Sequence, residues 1–328
     1  MAETVNISKM AEKVSKEIFS EFFWEKIGAM DINWDCVQMD RHKKKTHPTD
    51  VVFRYEHPYD NKFIIINFDL KSYAKKTIDV TSIRKAIESL ALASECTQLS
   101  DEWQKIYLEK TMNSEIISCL FVFNHDNSFD RDFEKLLFDA TKRDLKMNSG
   151  NKIFVFSPQK IQYLLTVVND IKILIADEIL PRRKDYTFYY PTLDEKPARN
   201  MWKSSATIEM LFSTWQIIKY KINPDIQNSN DFGIVLYYSK EGKEQEEFQY
   251  LIDYLFHYQL INNASRIQIR LANAEKYAST NFVSAIDEYK NRFEKEDEVV
   301  KKLQDIEFES ITTIIKEFSE MEIGMESK

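Results

Sequence analysis

Apolar residues recur at helical spacing from the start of the chain. Ile7, Met10, Ala11, Val14, Ile18 and Phe22 predict an amphipathic helix over 6–27, with Gly28 as its stop signal. The period then changes. Residues 32–39 and 50–55 (DVVFRY) predict two strands, separated by a basic polar stretch over 41–48. The turn-like HPYDN at 57–61 leads into a third strand over 62–73. Helical spacing returns over 81–108 through Ile83, Ile87, Leu90, Ala91 and Trp103, and 114–123 (SEIISCLFVF) predicts a fourth strand. The coarse order is helix, three strands, helix, strand.

A helix around 130–145, a strand at 152–156 and a helix over 158–175 follow. The stretch 185–199, with Pro191, Pro197 and several tyrosines, reads as a connection. After it come a strand at 232–238, a helix over 243–260, a strand at 266–271 and mostly helix over 275–318. The expected class is α/β in two regions, 1–184 and 185–328, the second with its own small parallel sheet. No internal sequence repeat is visible.

Composition narrows the function classes. The chain has 328 residues, 43% of them apolar and 13% aromatic, which is a folded rather than a disordered composition. Five glycines, never clustered, exclude the Gly-rich phosphate loops of Rossmann and Walker enzymes. The 45 basic against 53 acidic residues give a net charge of −8, which excludes a generally basic nucleic-acid coat but permits a local basic cleft. Cys36, Cys96 and Cys119 are widely spaced and odd in number, so neither a disulfide framework nor a zinc knuckle is expected. The five histidines show no metal-ligand spacing. A charged N-terminal pattern and the lack of any long apolar run point to a cytoplasmic protein with no membrane partner.

The strand over 62–73 is where the pattern becomes chemical. Side chains alternate faces along a strand. Ile64, Ile66, Phe68 and Leu70 form one apolar face, while Phe63, Ile65, Asn67, Asp69 and Lys71 form the other. A carboxylate and an amine at the end of a buried strand are costly without partners. The acid-x-Lys pattern recurs elsewhere in the chain, but only Asp69-Leu70-Lys71 ends an apolar strand. Asp50 begins the preceding strand, so a hairpin through HPYDN would bring Asp50 beside Asp69. Two adjacent carboxylates call for a divalent cation.

Pro48-Thr49-Asp50 and Asp69-Leu70-Lys71, within that order of elements, resemble the PD-(D/E)XK nuclease superfamily, the restriction-endonuclease-like fold. The resemblance covers roughly 5–125, and the inserted Thr49 departs from the literal Pro-Asp pair. It implies Asp50 and Asp69 as Mg²⁺ ligands, with Mn²⁺ as a substitute, and Lys71 as the residue that orients the attacking water. Many members add a glutamate from the first helix. Glu17, Glu21 and Glu25 lie on one stripe, and Glu21 falls nearest the apolar side.

The expected function is therefore metal-dependent phosphodiester hydrolysis, of DNA in preference to RNA, plausible in restriction or anti-phage defence. Lys43, Lys44, Lys45, Ser72, Lys75 and Lys76 flank the motif as candidate phosphate contacts. The second region carries no catalytic pattern and is expected to regulate or oligomerise, through a homodimer or a partner protein. The competing class is a non-catalytic interaction subunit that keeps the nuclease fold. A small-molecule enzyme built on the second region has no motif to support it.

Overall fold

The computed structural model describes residues 2–109, 113–142, 152–191, 204–226, 231–293 and 297–313. It divides into two compact units at Leu164 and Leu165. Among the described residues no helix is long and apolar enough to cross a membrane.

The first unit contains α1 (Ala2–Glu21), β1 (Glu25–Ile27), β2 (Ile32–Asp35), α2 (Met39–His42), β3 (Thr46–Thr49), β4 (Val51–Glu56) and β5 (Phe63–Tyr73). It continues with α3 (Val80–Thr97), α4 (Asp101–Tyr107), β6 (Ser114–Asn124), α5 (Phe133–Thr141) and β7 (Ile153–Phe156), and α6 (Pro158–Ala176) leads into the second unit. Strand order in the main sheet is β1-β4-β5-β6-β7; the first two pairings are antiparallel and the last two parallel. Strands β2 and β3 form a separate antiparallel pair, an excursion between β1 and β4.

Two layers cover the sheet. On one face Phe19 of α1 packs on Phe53, Phe68, Phe121 and Phe156, with ring centroids 4.9–6.0 Å away. On the other, Val52 and Ile65 join Trp34 of the excursion and Ala93 of α3, while Leu120 and Val122 pack under α3 and α5. Burial of Ala11, Val14, Ile18 and Phe22 bears out the helical stripe of α1. The fold class expected from the pattern, α/β with a restriction-endonuclease-like core and an additional C-terminal α/β region, is the one observed.

Several boundaries differ from the expectation, each because long-range pairing outweighs local pattern. The first helix ends at Glu21 and not at residue 27: Phe23 takes a positive φ of 66°, and 25–27 become β1, in register with Arg54–Val52. Trp24 is held there between Phe19 and Tyr55, at 4.6 and 5.1 Å. Gly28 is thus a turn residue after a strand (φ 63°), where a Cβ would lie 2.5 Å from the Tyr107 ring. The helix expected over 81–108 breaks at Ser100, whose side chain caps α4. Residues 143–145 of the expected 130–145 helix lie outside the described residues.

The second unit contains β8 (Tyr186–Phe188), α7 (Ile208–Phe212), β9 (Trp215–Lys221), β10 (Phe232–Tyr238), α8 (Gln245–His257), α9 (Leu260–Asn263), β11 (Arg266–Leu271), α10 (Ala278–Phe293), α11 (Asp297–Gln304) and β12 (Glu307–Ser310). Here the sequence reading missed three strands. Within the expected connection over 185–199, residues 186–188 are β8, while 192–199 lie outside the described residues. Residues 215–221 are β9. Within the expected helix over 275–318, residues 307–310 are a strand parallel to β11, and 314–318 lie outside the described residues.

The order β8-β9-β10-β11-β12 is antiparallel, antiparallel, parallel, parallel. That is the sequence of strand senses found in the first sheet, with helices again interposed before the fourth and fifth strands. A repeat of architecture therefore exists where no repeat of sequence is visible. Strand topology needs only apolar faces of the right period, which different residues supply equally well.

Candidate active site

Asp50 is the single residue between β3 and β4, and its position is fixed from both sides. Thr49, buried at the end of β3, accepts hydrogen bonds from the indole N–H groups of Trp34 (3.0 Å) and Trp103 (3.1 Å). The Asp50 backbone N–H donates to the Phe68 carbonyl at 3.3 Å, and its carbonyl accepts from the Asp31 N–H at 3.0 Å. The inserted Thr49 is thus the anchor of the turn that presents Asp50. The sequence pattern gave no sign of that role.

The hairpin expected through 57–61 forms, with Val51 in register with Phe68, so Asp50 and Asp69 lie just beyond one paired rung. The Leu70 N–H donates to Asp50 Oδ2 at 2.6 Å. Lys71 donates from Nζ to Asp69 Oδ1, and Asp69 is only 8% exposed. Burial, followed by the neighbouring Asp69 charge, pushes the Asp50 carboxyl up from 3.8 to about 6. Burial works against the charge on Lys71, but the Asp69 carboxylate outweighs it and holds the ammonium above its ordinary value. Tyr73, farther along β5, is pushed up mainly by burial.

Two carboxylates share one partly buried spot, and the charge of Asp69 opposes the ionisation of Asp50. Beneath them on the same face, Asn67 buries an amide with no hydrogen-bond partner, as does the hydroxyl of Ser118, its register neighbour on β6. All-oxygen donors beside unsatisfied polar atoms suit a hard divalent cation with retained water.

The other candidates are placed as follows. Glu21 sits half-buried in the last turn of α1, the helix that covers the face of β5 opposite to Asp69. Glu25 is exposed on β1 and paired with Arg54 at 2.9 Å, which removes it from the helical stripe. Lys43, Lys44 and Lys45 lie on the excursion: Lys43 and Lys45 are exposed, and Lys44 donates to Ser89 at 2.9 Å. Ser72 meets His125 Nδ1 at 3.3 Å, Lys75 pairs with Asp130 at 2.7 Å, and Lys76 is exposed.

One grouping contradicts the sequence reading outright. Cys36 and Cys96, expected to be unrelated, bring their sulfurs within 3.8 Å, and His42 and His47 close on the same point. The signal in the sequence is His42-x₄-His47, which has the spacing of a ligand pair.

Residues 1–160 match the family model of the GAPS4 protein PD-(D/E)XK nuclease domain. No curated protein and no solved structure matches the chain. The match spans the first sheet, the hairpin and the Asp50–Asp69–Lys71 grouping derived above from strand alternation. By this match residues 1–160 form a PD-(D/E)XK nuclease domain.

Proposed function

We propose that the protein is a Mg²⁺-dependent endonuclease that hydrolyses phosphodiester bonds of DNA in anti-phage defence. The observation that carries this reading is the convergence of Asp50, Asp69 and Lys71 at one end of the β4–β5 hairpin. PD-(D/E)XK nucleases generally use divalent metal ions, and Asp50 and Asp69 would hold one here, with Mn²⁺ as a substitute for Mg²⁺. Such an ion, when bound, polarises the scissile phosphate and lowers the pKa of a coordinated water.

The protein's own groups do the rest. The Leu70 N–H and the Thr49 anchor hold the Asp50 carboxylate in one orientation, so no rearrangement is needed when substrate arrives. Lys71 stays protonated at neutral pH, positions the attacking water and stabilises the charge that develops on the phosphate. Glu21 ends the helix on the face of β5 opposite to Asp69 and is not assigned to this site. Lys43, Lys44, Lys45, Ser72, Lys75 and Lys76 contact the nucleic-acid backbone, on an otherwise acidic protein that repels it elsewhere. Residues 185–328 regulate the nuclease by forming a homodimer or by binding a partner protein. The cytoplasm is the compartment where such a substrate is met.

The test is incubation of plasmid, linear and single-stranded DNA, and RNA, with Mg²⁺ or Mn²⁺. Asp69→Ala and Lys71→Ala should each lower DNA cleavage by about 10²–10³-fold or more, with unchanged circular dichroism. Full activity in Asp69→Ala refutes the site. Absence of cleavage by the wild type on every substrate would favour a non-catalytic interaction subunit instead.

A further inference from the structure

The excursion between β1 and β4 carries a second, separate grouping. Cys36 follows β2, His42 ends α2, His47 lies in β3, and Cys96 is in the last turn of α3. All four are buried, and their ligand atoms all lie within 4.8 Å of one another. The sulfurs of Cys36 and Cys96 are 3.8 Å apart. His42 Nδ1 is 3.4 Å from the Cys36 sulfur, 3.5 Å from the Cys96 sulfur and 3.4 Å from His47 Nε2.

Those lengths are the edges of a particular solid. With Zn–S near about 2.3 Å and Zn–N about 2.0–2.1 Å, a regular tetrahedron has S–S edges of about 3.8 Å, S–N edges of about 3.5 Å and N–N edges of about 3.4 Å. Four of the six edges agree with this within about 0.1 Å, and the two from His47 to the sulfurs lie within 4.8 Å. A disulfide would need about 2.05 Å between the sulfurs, so the pair is not set for oxidation.

The surroundings are those of a metal-bound histidine. With Nδ1 facing the cluster, His42 presents Nε2 to the buried Glu95 carboxylate at 3.0 Å, and Arg41 holds Glu95 in turn. A carboxylate behind a ligating imidazole fixes its tautomer and raises its basicity. His47 is oriented by packing beside the Trp34 ring, 5.2 Å between centroids. The excursion has only two four-residue strands and a single helical turn of its own, and it docks on the sheet and α3 through Trp34 and Cys36.

We propose that Cys36, His42, His47 and Cys96 bind one Zn²⁺ as a closed structural site that staples the β2–α2–β3 excursion to α3. Four protein ligands leave no open position for substrate, so the ion organises structure and not chemistry. Two thiols release their protons to solvent on binding, and the two thiolates balance the charge of the ion. Because His47 stands three residues before Asp50, the staple also fixes the arm that presents Asp50. The proposal stands whether or not the Asp50–Asp69 pair is catalytic.

The test uses the full chain expressed with added zinc and purified without chelator. Elemental analysis should find about one zinc per chain in the wild type and in Asp69→Ala, and only traces in Cys96→Ser. Exchange of the zinc for Co²⁺ should give tetrahedral visible bands with thiolate charge transfer. This readout on the wild type stands even if Cys96→Ser fails to fold. Trace zinc in the wild type together with no cobalt–thiolate band overturns the site. So does zinc that is lost in Asp69→Ala and kept in a folded Cys96→Ser.

Discussion

Replacing Asp50 by Asn tests whether the acid pair holds the fold in tension. In the folded protein the Asp50 carboxyl is pushed from 3.8 to about 6, first by burial and then by the Asp69 charge. A raised folded value means that the group favours the folded state when protonated. That contribution is complete below about pH 4 and is lost as pH rises through about 6. At about 1.4 kcal/mol per pH unit, ionising Asp50 removes about 3 kcal/mol by pH 7.5 in the absence of metal. Asn is neutral, keeps a carbonyl oxygen to accept the Leu70 N–H, and offers Asp69 an N–H donor. Asp50→Asn should therefore stabilise the metal-free protein by up to about 3 kcal/mol at pH 7.5, or about 6–12 °C in Tm for a unit of this size. It should do almost nothing at pH 4. Mg²⁺ or Mn²⁺ should raise the wild-type Tm and leave that of the variant unchanged, because only the wild type has two carboxylates to hold the ion. Differential scanning fluorimetry across pH 4–8, with and without metal, reads all three effects. Destabilisation by Asp50→Asn at pH 7.5, or a gain that does not vary with pH, would refute the account of a costly buried charge on Asp50.

Two further predictions concern stability alone. Ile66→Ala, on the fully buried α1-facing side of β5, should cost about 2–5 kcal/mol in denaturant unfolding; a cost below about 1 kcal/mol would mean that this face is not the core. In the second unit Arg270 makes two hydrogen bonds, of 2.6 and 2.7 Å, to the buried Asp170, which also accepts from the Tyr237 hydroxyl at 2.9 Å. Arg270→Ala strands that carboxylate and should destabilise by about 3–5 kcal/mol, with much of the loss recovered in the double variant Asp170→Ala, Arg270→Ala. An additive double variant would show that the two groups do not act as a pair.

What could be read from the sequence depended on how far apart the cooperating residues lie. Asp50, Asp69 and Lys71 were accessible because strand alternation and one short hairpin decide their neighbourhood. Both are local rules, and the Asp50 and Leu70 positions that meet are only 20 residues apart. Cys36 and Cys96 are 60 apart, on a strand end and a helix end that meet only after the sheet and α3 have assembled. Counting cysteine spacings cannot find such a pair, although His42 and His47 at five residues gave half of the signal. Residues 25–27 failed for a related reason. Phe22, Phe23, Trp24 and Ile27 continue an apolar run that fits a helix, yet pairing with β4 and the stacking of Trp24 decide the outcome. The strand at 307–310 (EFES) is too short and too acidic to announce itself. It is a strand because the edge of β11 is there to receive it.

The second sheet puts the chemistry of the first in relief. In the first sheet the residues just beyond the Val51–Phe68 rung are Asp50 and Asp69. In the second, the last rung of β9 and β10 joins Trp215 to Tyr238, and the residues beyond it are Thr214 and Ser239, linked by a 2.8 Å backbone hydrogen bond. Two residues past Ser239, where the first sheet has Lys71, stands Glu241. Hydroxyls in place of carboxylates and an acid in place of an amine cannot gather a divalent cation or stabilise a developing anion. The excursion that carries Cys36, His42 and His47 is missing as well: between β8 and β9 the described residues hold α7 and no added strand pair. Among the described residues the same strand order thus occurs once with acids, lysine and excursion, and once with none of them. A scaffold that keeps this order without these groups offers surfaces with which to bind, which is why the proposal gives residues 185–328 a regulatory part and no chemical one.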